Sequence, residues 1–247
     1  MFGPMSENLV WISGASGGIG GALAETVPWD GSRVINIARR PAPGTEHVEA
    51  DLADPASWRV VGESFRREAD KAGGEGRIVF VHAAGTIEPM GYAGEVDTDT
   101  YLANVVLNSA VPQALGHMFL AAVRDRGGPR HLVMITSGAA RSVYPGWSSY
   151  GAGKAAVDQW VRDVGAEQAE RGGTRVISVA PGTVDTGMQR QLREVDATHF
   201  PQRQKFVDIH RDGKLTAPTA VARDIWGLLD RELANGSVVD LRDLAKT

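Results

Sequence analysis

The chain has 247 residues, a length that suits one α/β domain with a substantial core and leaves little room for two. It contains no cysteine, which excludes disulfides, thiolate nucleophiles and cysteine-ligated metals. A formal net charge of -4 makes no electrostatic case for nucleic acid or an anionic membrane.

Residues 1–8 lack a basic segment followed by an apolar run, so no signal peptide is expected. No uninterrupted apolar stretch approaches the roughly 20 residues needed to span a bilayer. The expectation is a soluble, cytoplasmic chain with neither nucleic acid nor membrane as partner.

Leu9-Val10-Trp11-Ile12 is a short apolar run, readable as a buried strand because a glycine cluster follows at once. That cluster runs from Ser13 to Gly21, and Ala22 to Val27 continues it as a helix ended near Pro28. A strand, a glycine turn and a helix start bring backbone N–H groups and a helix dipole to one point, which suits a pyrophosphate. The spacing is Gly14-xxx-Gly18-x-Gly20 rather than G-x-G-x-x-G.

Arg33 to Ala38 reads as a second strand ending in Arg39-Arg40, with no acidic residue between Arg33 and Thr45. Arginine at this strand end suits a ribose 2′-phosphate, so NADP is favoured over NAD. His47 to Leu52 reads as a short third strand, Pro55 to Ala72 as an amphipathic helix, and Arg77 to His82 as a fourth strand followed by Ala83-Ala84-Gly85. After a loop-like Glu88 to Asp99, a helical pattern runs from about Thr98 through Leu120, interrupted by Pro112 and carrying Asn104 and Asn108. Asparagines inside an apolar helix need partners if buried.

Arg130 to Thr136 is a fifth strand ending at Ser137-Gly138. Ser148-Ser149 then suits a helix start, with Val157, Trp160, Val161 and Val164 at helical spacing behind it. Tyr150 and Lys154 therefore share one helix face. A phenol has an ordinary pKa of about 10, and a neighbouring ammonium stabilises the phenolate, making it usable as acid and base.

A sixth strand, Thr174 to Ala180, ends in Pro181-Gly182, and a long aperiodic segment, 183–218, reads as a lid or a disordered insertion. Thr219 to Leu229 reads as a helix and Ser237 to Asp240 as a last strand. Alternation of strands and helices predicts an α/β fold: a single doubly wound parallel sheet of about seven strands with helices on both faces. In such sheets ligands gather at the carboxyl ends of the strands, where Gly14–Gly20, Arg39, Asp51, Gly85, Ser137 and Pro181 all fall. The six histidines have no metal-ligand spacing, so no metal is expected.

These motifs, in this order, resemble the classical short-chain dehydrogenase/reductase family along essentially the whole chain. The matching residues are Ser13 to Gly20, Ser137, Tyr150-Gly151-Ala152-Gly153-Lys154 and Pro181-Gly182. The resemblance implies a Rossmann-type domain in which Tyr150 is the acid/base, Lys154 lowers its pKa and holds the nicotinamide ribose, and Ser137 binds the substrate oxygen. The family's fourth residue, an asparagine, is best matched by Asn104, with Asn108 as competitor. Cofactor contacts are implied for Gly14, Ser16, Gly17, Gly18, Ile19, Gly20, Arg39, Arg40, Asp51, Leu52, Ala83, Ala84, Gly85, Tyr150, Lys154, Pro181, Gly182, Val184 and Thr186. Substrate contacts are implied for Ser137, Tyr144, Trp147 and Met188.

Two departures stand out: Ser13 replaces the usual threonine, and His82-Ala83-Ala84-Gly85 replaces Asn-Asn-Ala-Gly, so its polar contacts must be replaced or lost. Ala84 to Pro89, Pro181 to Gln189, Gly213-Lys214-Leu215 and Gly236 to Asp240 look like the sepiapterin reductase and benzil reductase branch. That branch implies NADPH-dependent reduction of a vicinal dicarbonyl by a homodimer or homotetramer. A 3-oxoacyl thioester, a steroid or a sugar is the alternative substrate, and a non-catalytic NADP(H)-binding regulator the alternative class.

Overall fold

The computed structural model describes residues 8–72 and 75–244. The reading of the N-terminus as free of a leader concerns residues that, Asn8 apart, lie outside the described ones. The strands are β1 (Leu9–Ser13), β2 (Arg33–Ala38), β3 (Glu46–Glu49), β4 (Ile78–His82), β5 (Arg130–Ile135), β6 (Arg175–Ala180) and β7 (Val238–Asp240). All pairings are parallel, in the spatial order β3-β2-β1-β4-β5-β6-β7. The order reverses between β1 and β4, and a ligand crevice opens at such a switch point.

The helices are α1 (Gly18–Glu25), α2 (Trp58–Lys71), α3 (Thr98–Val105), α4 (Val111–Val123), α5 (Ser148–Glu170), α6 (Gly187–Glu194), α7 (Arg203–Arg211), α8 (Pro218–Leu228) and α9 (Leu241–Leu244). Strand alternation sorts the core into two layers. Leu9, Trp11, Phe80, Leu132 and Met134 pack on α2, α4 and α5. Val10, Ile12, Val79, Val133 and Val179 pack on α1 and α8. Both layers are apolar because a parallel sheet is covered on both faces. Trp11, Phe65, Phe80 and Phe119 interlock edge-on or tilted at the first layer's centre, so Phe119→Ala would cost about 3–5 kcal/mol.

Several sequence expectations are corrected. β3 stops at Glu49, leaving Asp51 and Leu52 in the following turn. Pro112 interrupts the α-helical ladder without ending the helix: a π-helical turn at Val106–Ala110 joins α3 to α4, and the proline sits in the first turn of α4. The resulting run Thr98–Val123 spans 26 residues with mean hydropathy 1.3 in its most apolar stretch, long and apolar enough to cross a membrane by length and composition. Here Val111, Leu115, Phe119 and Val123 bury its apolar face in the core.

Ser148 and Ser149 are already helical, and Trp147 occupies the cap of α5 without a side-chain hydrogen bond. Segment 183–218 is ordered, with α6 and α7 folded over a third apolar cluster that includes Ile87, Leu192, Phe200 and Phe206. A helical turn, α9, follows the last strand.

Candidate active site

The glycine turn after β1 forms one wall of the site. Gly14 has φ of +77, and a Cβ there would lie 3.2 Å from the Ala84 backbone. A Cβ on Gly20 would collide with the Gly14 carbonyl. Only glycine allows α1 to start this close to the ends of β1 and β4, which aims its N–H groups into the crevice.

A cleft of about 880 Å³ runs through that crevice. Gly14, Ser16, Gly17, Gly18, Ile19, Gly20, Arg39, Arg40, Asp51, Leu52, Ala83, Ala84 and Gly85 line it, with Asn104 from α3 and Thr186 and Met188 from the segment after β6. Its volume and small-residue wall fit a dinucleotide, and two exposed arginines line it. Pro181, Gly182 and Val184 are not among its lining residues, nor are Ser137, Tyr150 and Lys154. The side chain of Val184 is buried in the second core layer, so the contact expected from it is not made by that side chain. Gly182, with φ of +78, lies instead against Arg242.

Asn36, wholly buried in β2, holds the arginine end of the cleft in place. Its Oδ1 accepts from Ala15 N at 3.1 Å, and its Nδ2 donates to the Arg40 carbonyl at 2.8 Å.

Beyond β4, the polar contacts usual at this turn are rebuilt from different side chains. Ser13 and His82 are register partners on adjacent parallel strands. Ser13 Oγ accepts from Ala83 N at 3.0 Å and Ala84 N at 3.1 Å, leaving its own proton for His82 Nδ1 at 3.0 Å. His82 therefore carries its hydrogen on Nε2. Burial, and after it the charge of Lys154, pushes its pKa down to about 3, so the ring is neutral.

Tyr150 and Lys154 lie one turn apart on α5, both buried. Lys154 Nζ donates to the Ile135 carbonyl at 3.0 Å and stands 5.8 Å from the Tyr150 ring centre. A Cβ on Gly85 would lie 3.4 Å from that ammonium, which therefore sits just behind the cleft wall. Burial pushes its pKa down to about 8, against the opposing pull of Asp158 one turn on. Burial likewise pushes the Tyr150 phenol up, against a smaller opposite effect of the Ser137 hydroxyl. Lys154 Nζ, bound to the Ile135 carbonyl, thus stands beside the phenol ring without a direct hydrogen bond to it. Ser137 caps the short turn Gly138–Ala140 through a 3.1 Å bond from Ala139 N, which fixes the hydroxyl near the phenol.

The two asparagines separate cleanly. Asn108, inside the π turn, donates to the Thr86 carbonyl at 2.7 Å and accepts from Thr86 N at 3.3 Å. A Cβ on Gly153 would lie 3.2 Å from the Asn108 carbonyl oxygen, so this helix bend faces the turn of α5 that carries Lys154. Asn104 Nδ2 instead donates to the Glu88 carbonyl, and its Oδ1 accepts from Asn108 at 3.0 Å. Asn104, the best match expected for the family's asparagine, lines the cleft, whereas Asn108, the competitor, is the one whose backbone carbonyl faces the Lys154 turn.

The chain matches the short chain dehydrogenase family over residues 8–197. It belongs to that family. Benzil reductase ((S)-benzoin forming) of Bacillus subtilis strain 168 is 30% identical over 238 residues, covering 94% of this chain and 97% of that protein. Sepiapterin reductase of Meriones unguiculatus is 29% identical over 258 residues, covering 94% and 95%. A solved short chain dehydrogenase/reductase from Saccharomyces cerevisiae superposes with a TM-score of 0.83 at 23% identity, covering 96% of this chain and 97% of that one, and shares the fold. The chain is thus an oxidoreductase of the short-chain type, resembling the benzil and sepiapterin reductase branch.

In this short-chain dehydrogenase, Tyr144 and Trp147 do more packing than the sequence suggests. Trp147 lies 5.0 Å from the Tyr150 ring and 4.8 Å from Phe200, tying α5 to the segment after β6. Tyr144 and Trp147 also line a separate hollow of about 630 Å³ with Tyr92, Val143 and Ala152. Sequence reasoning missed Phe200 and Phe206 as partners of that cluster, because α6, α7 and the link between them, where Phe200 lies, are too polar to announce themselves. It also missed Asp240 and Arg242, which touch the site through tertiary packing alone.

Proposed function

We propose that this chain is an NADPH-dependent carbonyl reductase acting on vicinal dicarbonyl compounds. The observation that carries the reading is the meeting of the Ser137 hydroxyl, the buried Tyr150 phenol and the Lys154 ammonium behind the wall of the dinucleotide-sized cleft. The bound nicotinamide would supply the hydride. Ser137 and Tyr150 then donate to the substrate oxygen, stabilising the charge that develops there, and Tyr150 delivers the proton. Lys154, an ammonium at neutral pH, holds positive charge beside the phenol and favours its conjugate base. Asn108 holds the helix bend whose carbonyl faces the Lys154 turn, a route by which water returns a proton to the Lys154 amine once the ammonium has passed one toward Tyr150.

NADPH over NADH is supported by Arg39 and Arg40 at the cleft end. The dicarbonyl is supported by the relation to an enzyme named for benzil, an aromatic 1,2-diketone. A homo-oligomer in the cytoplasm belongs to the same reading, supported by Leu102 and Val105 exposed on α3. The test is NADPH and NADH consumption by purified protein with an aromatic 1,2-diketone and, in parallel, a 3-oxoacyl thioester. Diketone turnover preferring NADPH is expected. Faster turnover of the thioester, or of neither, would overturn the substrate assignment.

A further inference from the structure

The end of β7 carries a charged clamp beside the turn that follows Ser137. The Asp240 side chain is 4% exposed and receives Arg141 Nη2 at 2.9 Å, Arg242 Nε at 2.9 Å and Arg242 Nη2 at 2.6 Å. Two guanidiniums on one carboxylate leave one net positive charge. Arg242 lies over the glycines that follow Ser137 and Pro181. A Cβ on Gly138 would be 3.1 Å from its Nη2, and one on Gly182 would be 3.2 Å from its Cγ.

Among the described residues no hydrogen bond uses Arg242 Nη1, and the side chain is 58% exposed. The guanidinium is therefore fixed along one edge by Asp240, where its Nη2 also meets the glycine that follows Ser137, and exposed along the other. Such an anchored, planar, always-charged donor suits an oxygen held at a set distance from another.

We infer that Arg242 is a specificity-determining residue, donating from its open edge to the second carbonyl oxygen of a vicinal dicarbonyl. This rests on the carbonyl-reductase reading above. A cation at the neighbouring oxygen draws electron density from the carbon that receives the hydride and stabilises the charge of the transition state. One carbonyl gains a hydride and a proton and is reduced by two electrons; the other keeps its hydrogen bond and is unchanged, giving an α-hydroxy ketone. Asp240 is a positioning residue, acting only through Arg242 and Arg141.

The experiment compares kcat/KM for an aromatic 1,2-diketone and for the monoketone of the same skeleton, in wild type, Arg242→Met, Arg242→Lys and Asp240→Asn, with NADPH affinity measured by fluorescence. Arg242→Met should lower the diketone value by about 10- to 100-fold and leave the monoketone value within about threefold. NADPH affinity should be unchanged, and Arg242→Lys should recover part of the diketone preference. Should Arg242→Met fold poorly by circular dichroism, Asp240→Asn reads the same ratio and should lower it in the same direction. An unchanged ratio in the variants of an active enzyme would overturn this inference alone. A wild type inert toward both ketones would overturn the carbonyl-reductase reading and this inference with it.

Discussion

Ser13 and His82 face each other across the β1–β4 register with Oγ and Nδ1 3.0 Å apart, and two backbone N–H groups landing on the same Oγ decide the direction of that bond. A proton on Nδ1 would turn an acceptor into a donor facing a donor. His82 is buried and its pKa is pushed down to about 3 from an ordinary 6.5.

The unfolded chain thus binds more protons than the native one between those two pH values. Stability from this group is complete above the unfolded pKa and is lost as pH falls toward the folded one. Between pH 7 and pH 5 the loss is about 2 kcal/mol. Urea unfolding at both pH values should show that loss in wild type and a smaller one in His82→Asn, whose amide keeps an acceptor for Ser13 without titrating. Equal losses in the two proteins would assign the acid sensitivity to other groups.

The asparagine pair makes the next prediction. Asn108 braces the loop after β4 with a reciprocal pair of bonds to Thr86, while Asn104 reaches only the carbonyls of Thr86 and Glu88 and its neighbour. Asn108→Ala should shift the bend facing Lys154, and a misplacement of about 1 Å is worth about 100-fold in kcat. Asn104→Ala should cost about 1–3 kcal/mol of stability by leaving polar groups unpaired, with kcat changed far less. Steady-state kinetics beside a denaturant melt separate the two, and the reverse ranking in kcat would restore Asn104.

The sheet was legible because most strands are apolar runs with a turn signal behind them, polar β3 being the exception, and the two arginines after β2 announced the end of a nucleotide cleft. The helix bend was legible too, in the proline that interrupts the helical pattern. Pro112 has no N–H to give the carbonyl four residues earlier, and that carbonyl belongs to Asn108. Read that way, the proline singles out Asn108 over Asn104. The fixed edge of Arg242 was not legible, since it depends on Asp240 two residues before it and on glycines from two distant strand ends. Nor was the burial of Val184, whose neighbours in sequence line the cleft while its own side chain fills the core.

Lys154 supplies a pH prediction with a definite sign. Burial lowers its pKa to about 8, and Asp158 pulls it back up, so the ammonium is present at pH 7 and is lost above pH 8. If the charge is needed in the free enzyme, kcat/KM for carbonyl reduction declines on the alkaline side with a midpoint near that value. Removing the carboxylate in Asp158→Asn removes the upward pull, so the alkaline midpoint should move to lower pH. A profile with the same midpoint in both proteins would uncouple Lys154 from the reaction.

Arg39 and Arg40 stand exposed in the lining of the cleft after β2, and Asn36 ties the Arg40 carbonyl and the Ala15 amide to one buried amide side chain. Their value for a 2′-phosphate is charge-assisted hydrogen bonding in partly solvated surroundings, about 1.5–3 kcal/mol each. The double variant Arg39→Ala/Arg40→Ala should raise KM for NADPH by about 100-fold and alter KM for NADH by less than about threefold, with kcat retained. Added salt should weaken NADPH binding in wild type and do so less steeply in the double variant, because the lost contacts are the screened ones. Equal effects on both cofactors would mean that the arginines shape the cleft without reading the phosphate, and the NADPH assignment would then have lost its support in these residues.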